Sequence, residues 1–475
     1  MAEQLETEVK FALEEGGELP PLDGLVRAGA VHEYLQRAVY YDTLDLLLAR
    51  HAITLRRRTG GSDDGWHLKL PEGGSARREV HADLDEAPGH RRVPGELVDA
   101  VATALGDAWP AGAEGALVPV SFLTTRRLET QLLADDGSVA ALLSDDRVTA
   151  LPAGLSMREA EVELVDGDES LLEVIEERFA EHDVVRSDSP SKLLWSLGDR
   201  PERAEAGEGP GGSAPAAVVV HQYLRLQAAT LLGCADDLRA DAEDAVHKAR
   251  VAVRRLRSAL RTFRRLFHRD VTDALRDELS WFADVLSVPR DAEVMRAHLA
   301  SRLEALPDEL VRGRVVERVR RAVDARHDAG HAALVETLDS QRYLRLVDAL
   351  LDVLGDTPWR GRAHREARDV LPKLISKAAR RAVRERDAAR EAEGGQRLHL
   401  LHEYRKRAKA VRYAHEAVAP AFGDDAAVAA EAWEEVTDAL GLVQDSVVAA
   451  QWLADFAAAA DTVGESGSSY LSVGS

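Results

Sequence analysis

Hydrophobic and polar positions follow two different periods along this chain, and the change between them divides it. Up to about residue 199 the period is two. In "LETEVKFAL", residues 5–13, Glu6, Glu8 and Lys10 fall on one face of a predicted strand and Val9 and Phe11 on the other. "EAEVEL" repeats the arrangement, with Glu159, Glu161 and Glu163 against Ala160, Val162 and Leu164. Basic segments obey the same rule. Arg56 and Arg58 alternate around Arg57, His67 and Lys69 alternate with Trp66, Leu68 and Leu70, and Arg77 and Glu79 share a face. Further short alternating segments, "VYYDT", "SFLTTRRLETQLL" and "SVAALLSDD", complete a mostly antiparallel sheet.

Beyond "DRPERAEAGEGPGGSAPA", which has linker composition, the period becomes helical. The predicted organisation is a β domain over 1–199, a linker over 200–216, an all-α domain over 217–462 and a disordered tail over 463–475, an α+β chain. In "VHKARVAVRRLRSALRTFRRLFH", residues 246–268, Val246, Ala249, Val253, Leu256, Leu260, Phe263 and Phe267 form a core stripe. One position later come His247, Arg250, Arg254, Arg257, Arg261, Arg264 and His268. One residue is about 100° of helix, so the basic stripe flanks the buried one and lines the edge of a groove. "LHEYRKRAKAVRY", residues 401–413, repeats both registers, with His402, Arg405, Lys409 and Arg412 beside Leu401, Tyr404, Ala408 and Val411, and with Lys406 in the same block. Each block is followed at a similar distance by a related segment, "DVLSVPRDAEV" at 284–294 and "DALGLVQDSVV" at 438–448. This is an internal duplication, which predicts two similar bundles whose basic helices meet in one channel with an anion between them.

At 475 residues, with 45% hydrophobic and 30% charged positions, the chain is globular and long enough for two cores. A formal net charge of −22 argues against non-specific nucleic-acid binding, so any polyanion site must be a local concentration of base. Cys234 is the only cysteine, which excludes an intrachain disulfide and a thiolate metal cluster. With no signal peptide or membrane span in the pattern, a cytoplasmic protein is expected.

Strands with charge of both signs on one face and apolar residues on the other fit a barrel with a polar lumen and helices packed outside. Clustered carboxylates repel unless a cation joins them, and oxygen ligands suit Mg²⁺ or Mn²⁺ better than zinc. Arg and Lys on neighbouring strands suit phosphate oxygens. There is no GxxxxGK[ST] loop, so side chains must do the binding.

The ExExK of Glu6, Glu8 and Lys10, "YYDT" at 40–43, "LRRR" at 55–58, "LKLP" at 68–71, "RRE" at 77–79, "EAEVEL" at 159–164 and "SKL" at 191–193 together resemble the CYTH domain, the triphosphate tunnel metalloenzyme fold. The resemblance implies an eight-stranded antiparallel tunnel that binds a triphosphate with divalent metal and hydrolyses or cyclises it. It implies metal ligation by Glu6, Glu8, Glu161, Glu163 and Asp145, with Glu159 a weaker match. It assigns phosphate binding to Lys10, Arg56, Arg58, Lys69 and one of Arg126 or Arg127, of which alternation with Glu129 and Gln131 favours Arg127. Lys192 would lie on a helix closing one tunnel end. Where the family usually has an apolar residue, this chain has Arg57.

"HKARVAVRRLR" with "PRDAEV", then "HEYRKRAKAVRY" with "VQDSVV", resemble the two halves of the CHAD domain, a helical module that binds inorganic polyphosphate. Glu293 stands where an Asp is usual, and Gln444 replaces the Arg of the first half. Asp291 and Asp445 are explained as well by capping and salt bridges as by catalysis. The two resemblances together imply a metal-dependent triphosphatase acting on inorganic triphosphate, coupled to a polyphosphate-binding module and associated with polyphosphate granules. Adenylate cyclisation, thiamine triphosphate hydrolysis and a non-catalytic polyphosphate scaffold are the alternatives, and nothing in the residues specifies a base-binding pocket.

Overall fold

The first alternating segment folds as one strand broken at Thr7, and the break is what closes the sheet. The computed structural model describes residues 2–71, 77–84, 91–110, 117–151, 155–187, 191–198, 210–305 and 315–441, without the side chains of 2–6, 77, 298–305, 315, 316, 318 and 319. It divides into two compact units, residues 1–209 with 347–359 and residues 210–346 with 360–475. The segment Val347–Trp359 thus groups with the first unit, although its helical pattern places it in the second half of the sequence.

In the first unit, β1 (Ala2–Glu6) and β2 (Glu8–Leu13) are followed by β3 (Arg27–Asp42), β4 (Thr54–Thr59), β5 (Gly65–Pro71), β6 (Arg77–Ala82), β7 (Val118–Leu133), β8 (Val139–Leu151) and β9 (Leu155–Leu164). The antiparallel order is β1-β6-β5-β4-β3-β7-β8-β9-β2. Because β1 and β2 are consecutive in the chain, the two edges of this sheet are one segment, and the sheet closes as an eight-stranded tunnel with its first strand shared. Counting around that ring, β4 and β5 lie across the lumen from β8 and β9.

Apolar residues of the strands face outward and are covered. Leu55, Trp66, Leu68, Leu70 and Val80 pack with Leu47 and Leu48 of α1 (Leu47–Arg50) and with Leu97, Val98 and Val101 of α2 (Gly95–Leu105). Val9, Phe11, Ala160 and Val162 pack with Ile175 and Phe179 of α3 (Glu169–Ala180), and the Phe11 and Phe179 rings lie 4.2 Å apart. Each fully buried side chain of this size contributes about 1.5–3 kcal/mol, so the outer face carries the stability and leaves the lumen free to be polar. Arg57 shares the outward face, in register with Trp66 and Val39. One end of the lumen is plugged. The short α4 (Lys192–Leu197), capped by Ser191 Oγ accepting from Leu194 N at 3.1 Å, inserts Leu193 and Leu197 among Ala38, Tyr40, Val120, Leu123, Val148 and Ala150.

The second unit begins with α5 (Ala216–Gly233) and α6 (Ala235–Arg239), then the first basic helix α7 (Ala245–Thr262) and the long α8 (Arg269–Ala305) and α9 (Val315–Leu338). α10 (Gln341–Gly355) belongs to this unit only as far as Leu346, and after it come α11 (Ala367–Glu391), the second basic helix α12 (Gly394–Phe422) and a helix from 424 through 441. α7 packs on α5, α8 and α12, and α12 packs on α11. Val246, Ala249, Val253, Leu256 and Leu260 of α7, and Tyr404, Ala408 and Val411 of α12, are buried, as their stripes predict. The duplicated helices therefore meet each other. The segment 442–475, including Gln444, Asp445 and the predicted tail, and residues 200–209 of the predicted linker lie outside the described residues.

Candidate functional site

Cross-strand register builds one wall of the lumen from acids. Glu8 lies opposite Glu163, Lys10 opposite Glu161, Ser144 opposite Glu161 and Asp146 opposite Glu159. Residues opposite one another share a face, so Glu159, Glu161 and Asp146 project together. Asp146, Glu159 and Glu161 are all buried, and each offers an oxygen within 4.8 Å of the others. The resemblance implies Asp145 as the aspartate among the metal ligands, and the structure places it elsewhere. Asp145 is in register with the outward-facing Ala160 and is held on the outer face by Arg158, at 2.9 Å and 2.8 Å, with the guanidinium also donating to the Gly17 carbonyl. A pair of adjacent aspartates always puts one on each face, and only the partner strand says which.

Three cations enter this acidic wall. Lys192 Nζ lies 2.7 Å from Asp146, 2.7 Å from Glu159 and 2.8 Å from Glu161. Arg127 forks onto Asp146 at 2.8 Å and 2.7 Å and reaches Glu161 at 2.5 Å. Lys10 bonds Glu161 and lies 3.1 Å from Glu8. Arg126, in contrast, pairs with the exposed Glu33 outside the lumen. Burial opposes charge on Lys10, Lys192 and Arg127, yet the facing carboxylates outweigh it and raise all three. Burial likewise opposes ionisation of Asp146 and Glu161, and the surrounding cations still hold both below the usual carboxylate range. Glu159 and Glu163 behave differently: burial first, and then neighbouring carboxylates, push them up. Five carboxylates, counting Glu8, thus face three cations, and two of the five are incompletely neutralised. An all-oxygen set with excess negative charge fits a hard divalent cation.

The opposite wall is basic. Arg56 and Arg58 share the lumen face of β4, with His67, Lys69 and Glu79 beside them. Burial first, and then Arg56 and Arg127 against the pull of Glu79, lower the Arg58 guanidinium to about 9. Arg58 is paired with Asp63, and Lys69 lies 3.6 Å from Glu79. Glu79 also meets His67 Nδ1 at 2.8 Å, while His67 Nε2 lies 3.0 Å from the Asp63 carbonyl. The sequence pattern placed Glu79 and His67 on this face without giving them a role. Of the predicted tunnel residues, the structure thus brings together Glu8, Lys10, Arg56, Arg58, Lys69, Arg127, Glu161, Glu163 and Lys192. The side chain of Glu6 lies outside the described residues.

In the second unit a cavity of about 870 Å³ is lined by His247, Arg250 and Arg254 of α7 together with His402, Arg405, Lys409 and Arg412 of α12. A second, of about 640 Å³, shares Arg254, Lys409 and Tyr413 with it and adds Arg257, Arg261 and Lys406. The two basic stripes therefore converge. Tyr413 stands between the cavities, accepting from Arg254 Nε at 2.7 Å, with the guanidiniums of Arg254, Arg255 and Arg412 each within 6 Å of its ring. Part of the base is already neutralised: Arg250 pairs with Asp291, Arg412 with Glu416 and Glu434, and Lys406 with Glu403. Asp291 thus acts here as a salt-bridge partner.

Comparison with known proteins follows the same division. The CYTH domain family matches residues 4–194 and the CHAD domain family residues 222–454. An uncharacterised protein of Mycobacterium tuberculosis (strain ATCC 25618 / H37Rv) is 38% identical over 490 residues, covering 98% of this chain and 91% of the relative. Among solved structures, the CHAD domain from the plant Ricinus communis is similar at 21% identity and a TM-score of 0.46, covering 56% of this chain and 87% of that one. A Hippeastrum protein described as having a dominant triphosphatase activity is similar at 19% identity and a TM-score of 0.28, covering 40% of this chain and 94% of that one.

Proposed function

The chain belongs to the CYTH family, with a CHAD domain following the tunnel, and from that premise we propose that it is a metal-dependent triphosphatase acting on inorganic triphosphate, joined to a helical unit that binds inorganic polyphosphate. The observation that carries this reading is the pairing of walls in one lumen: Asp146, Glu159 and Glu161 on one side, Arg56, Arg58 and Lys69 on the other. An anion site alone has no use for five carboxylates, and a metal site alone has no use for the opposite cations.

Glu8, Asp146, Glu159, Glu161 and Glu163, with Glu6 as a further ligand, would hold Mg²⁺ or Mn²⁺. Bound there, the metal would supply charge neutralisation of the phosphate chain and a more acidic water. The protein's own residues do the rest. Arg56, Arg58 and Lys69 bind the non-bridging oxygens of the chain and stabilise charge on the departing phosphate. Lys10, Arg127 and Lys192, now spent on carboxylates, turn to phosphate oxygens when substrate brings negative charge between the walls. The apolar plug at Leu193 and Leu197 excludes water from one end and sets how far the chain enters. In the second unit, Arg254, Arg257, Arg261, Lys409 and their stripe neighbours give side-chain countercharge to polyphosphate directly, without metal.

The test is phosphate release from inorganic triphosphate, ATP and thiamine triphosphate with Mg²⁺, Mn²⁺ and neither, in the full chain and in Glu161→Gln. Metal-dependent release, fastest with inorganic triphosphate and abolished by the substitution, is expected. Polyphosphate binding without turnover of any of the three would replace the enzyme with a scaffold. Among the described residues no helix is long and apolar enough to cross a membrane.

A further inference from the structure

The duplicated halves of the helical unit are not equivalent in charge, and the difference lies beside the channel. α5, which precedes the first basic helix, carries Arg225 as its one Lys or Arg, and that side chain is buried. α11, which holds the same place before the second, carries Arg368, Lys373, Lys377, Arg380, Arg381, Arg384, Arg386 and Arg390. Lys377 and Arg381 lie one turn apart and reach the end of α7. With Arg261, Arg264 and Arg265 they line a pocket of about 40 Å³, room for a group the size of a phosphate. This pocket shares Arg261, Arg264, Arg381 and Arg407 with the 640 Å³ cavity, which in turn shares Arg254 and Lys409 with the 870 Å³ cavity. The three form one track, continued by a further cavity at Arg265, Arg360 and Arg362.

The far end of the track differs from the groove in one respect that points to a ligand. In the groove Arg250, Arg412 and Lys406 have acidic partners. Among the described residues Arg261, Arg264, Arg265, Lys377 and Arg381 have none, in a chain with 83 acidic residues against 61 basic ones. The half-buried Lys377 ammonium is lowered by Arg265 first, then by burial and by Arg381, Arg264 and Arg380. Arg261 is lowered by burial and then by Arg407, Arg276 and Arg381, against a weaker pull from Glu403. Like charges held this close without a counterion repel, and a solvated face would spread them or interleave acids. Among the described residues Tyr413 is the only Phe, Tyr or Trp lining these three cavities, and three guanidiniums already crowd its ring, so the lining favours a bare phosphate chain over stacked bases.

We propose that the anion site of the helical unit extends on one side only, from Arg261 and Arg264 at the end of the duplicated groove to Arg265, Lys377 and Arg381, so that the unit engages further phosphates of long polyphosphate chains and selects them over short ones. This rests on the reading of the groove as a polyphosphate site. The experiment measures binding of the full chain, in chelator, to inorganic triphosphate and to polyphosphate of many tens of units across a salt series. It compares wild type with Lys377→Glu/Arg381→Glu, with the milder Lys377→Gln/Arg381→Gln, with Arg254→Glu/Lys409→Glu in the groove, and with Arg320→Glu/Arg321→Glu as a charge control. The α11 reversals are expected to keep triphosphate affinity, lower long-chain affinity by about tenfold or more and flatten its salt slope by about one to two units. The Gln pair follows the same pattern more weakly. An unchanged long-chain affinity and slope in the α11 variants, with both lost in the groove variant, overturns the extension and leaves the groove standing. Equal losses in the charge control overturn it too. No binding of long chains by wild type removes extension and groove together.

Discussion

Asp145→Asn and Asp146→Asn differ by one position and should fail in different ways. Asp145 takes two charge-assisted hydrogen bonds from Arg158 at 2.9 Å and 2.8 Å, and both side chains are more than nine-tenths buried on the outer face. Such bonds are worth about 1.5–3 kcal/mol each, and Asn keeps one of them in neutral form, worth about 1 kcal/mol. The Arg158 charge is left buried and underpaired, and breaking a pair of this kind costs about 3–5 kcal/mol. A loss of about 3 kcal/mol follows, which lowers Tm by about 6–12 °C in a unit of this size. Because Asp145 faces away from the lumen, turnover well below that temperature should be unchanged. Asp146 is fully buried against Arg127 and Lys192, which retain Glu159 and Glu161 as partners, so its neutralisation costs less stability. It removes one oxygen of the acidic triad, and metal-dependent turnover should fall by about a hundredfold or more. The assays are thermal unfolding by circular dichroism and phosphate release from inorganic triphosphate with Mg²⁺. A folded Asp145→Asn without activity beside a fully active Asp146→Asn would refute the assignment of faces.

Three further outcomes follow from the same contacts. Lys192→Met removes an ammonium that competes for all three triad carboxylates, so calorimetry should show tighter Mn²⁺ binding in the absence of substrate together with slower turnover; weaker Mn²⁺ binding would mean that the lysine and the metal do not share those oxygens. Burial, against the pull of Glu79 and with Arg56 and Arg58, lowers His67 from 6.5 to about 4, so the unfolded chain binds a proton that the folded one refuses between those values. Wild type should therefore lose up to a few kcal/mol relative to His67→Gln as pH falls from 6.5 to 4, and parallel curves of Tm against pH for the two proteins would contradict this. Arg254→Glu/Lys409→Glu should weaken polyphosphate binding far more than Arg320→Glu/Arg321→Glu, which changes the same formal charge at exposed positions outside the groove; equal losses would mean that net charge alone governs binding.

Alternation along a strand is a local property, and for that reason the sequence separates Arg56 and Arg58 from Arg57, gathers Glu159, Glu161 and Glu163 and favours Arg127 over Arg126. Helical period is equally local, and it places the stripes of α7 and α12 one step from their buried faces before any packing is known. What alternation cannot supply is the absolute face of a strand whose charged residues are adjacent. Asp145 and Asp146 exchange places if β8 slips by one residue, and the choice is made by hydrogen bonding to β9, where Asp146 meets Glu159 and Asp145 meets Ala160. The closure at Thr7 is decided in the same way, because β6 and β9 claim successive pieces of one strand. The basic residues of α11 are plain in the chain, yet they carry no repeat that ties them to the channel. Only the packing of α11 on α12, and of α12 on α7, brings Lys377 and Arg381 beside Arg261 and Arg264, more than a hundred residues away. Charge read along a sequence has no distance between non-neighbours, and it is distance that decides whether a cation is solvated, paired or waiting for an anion.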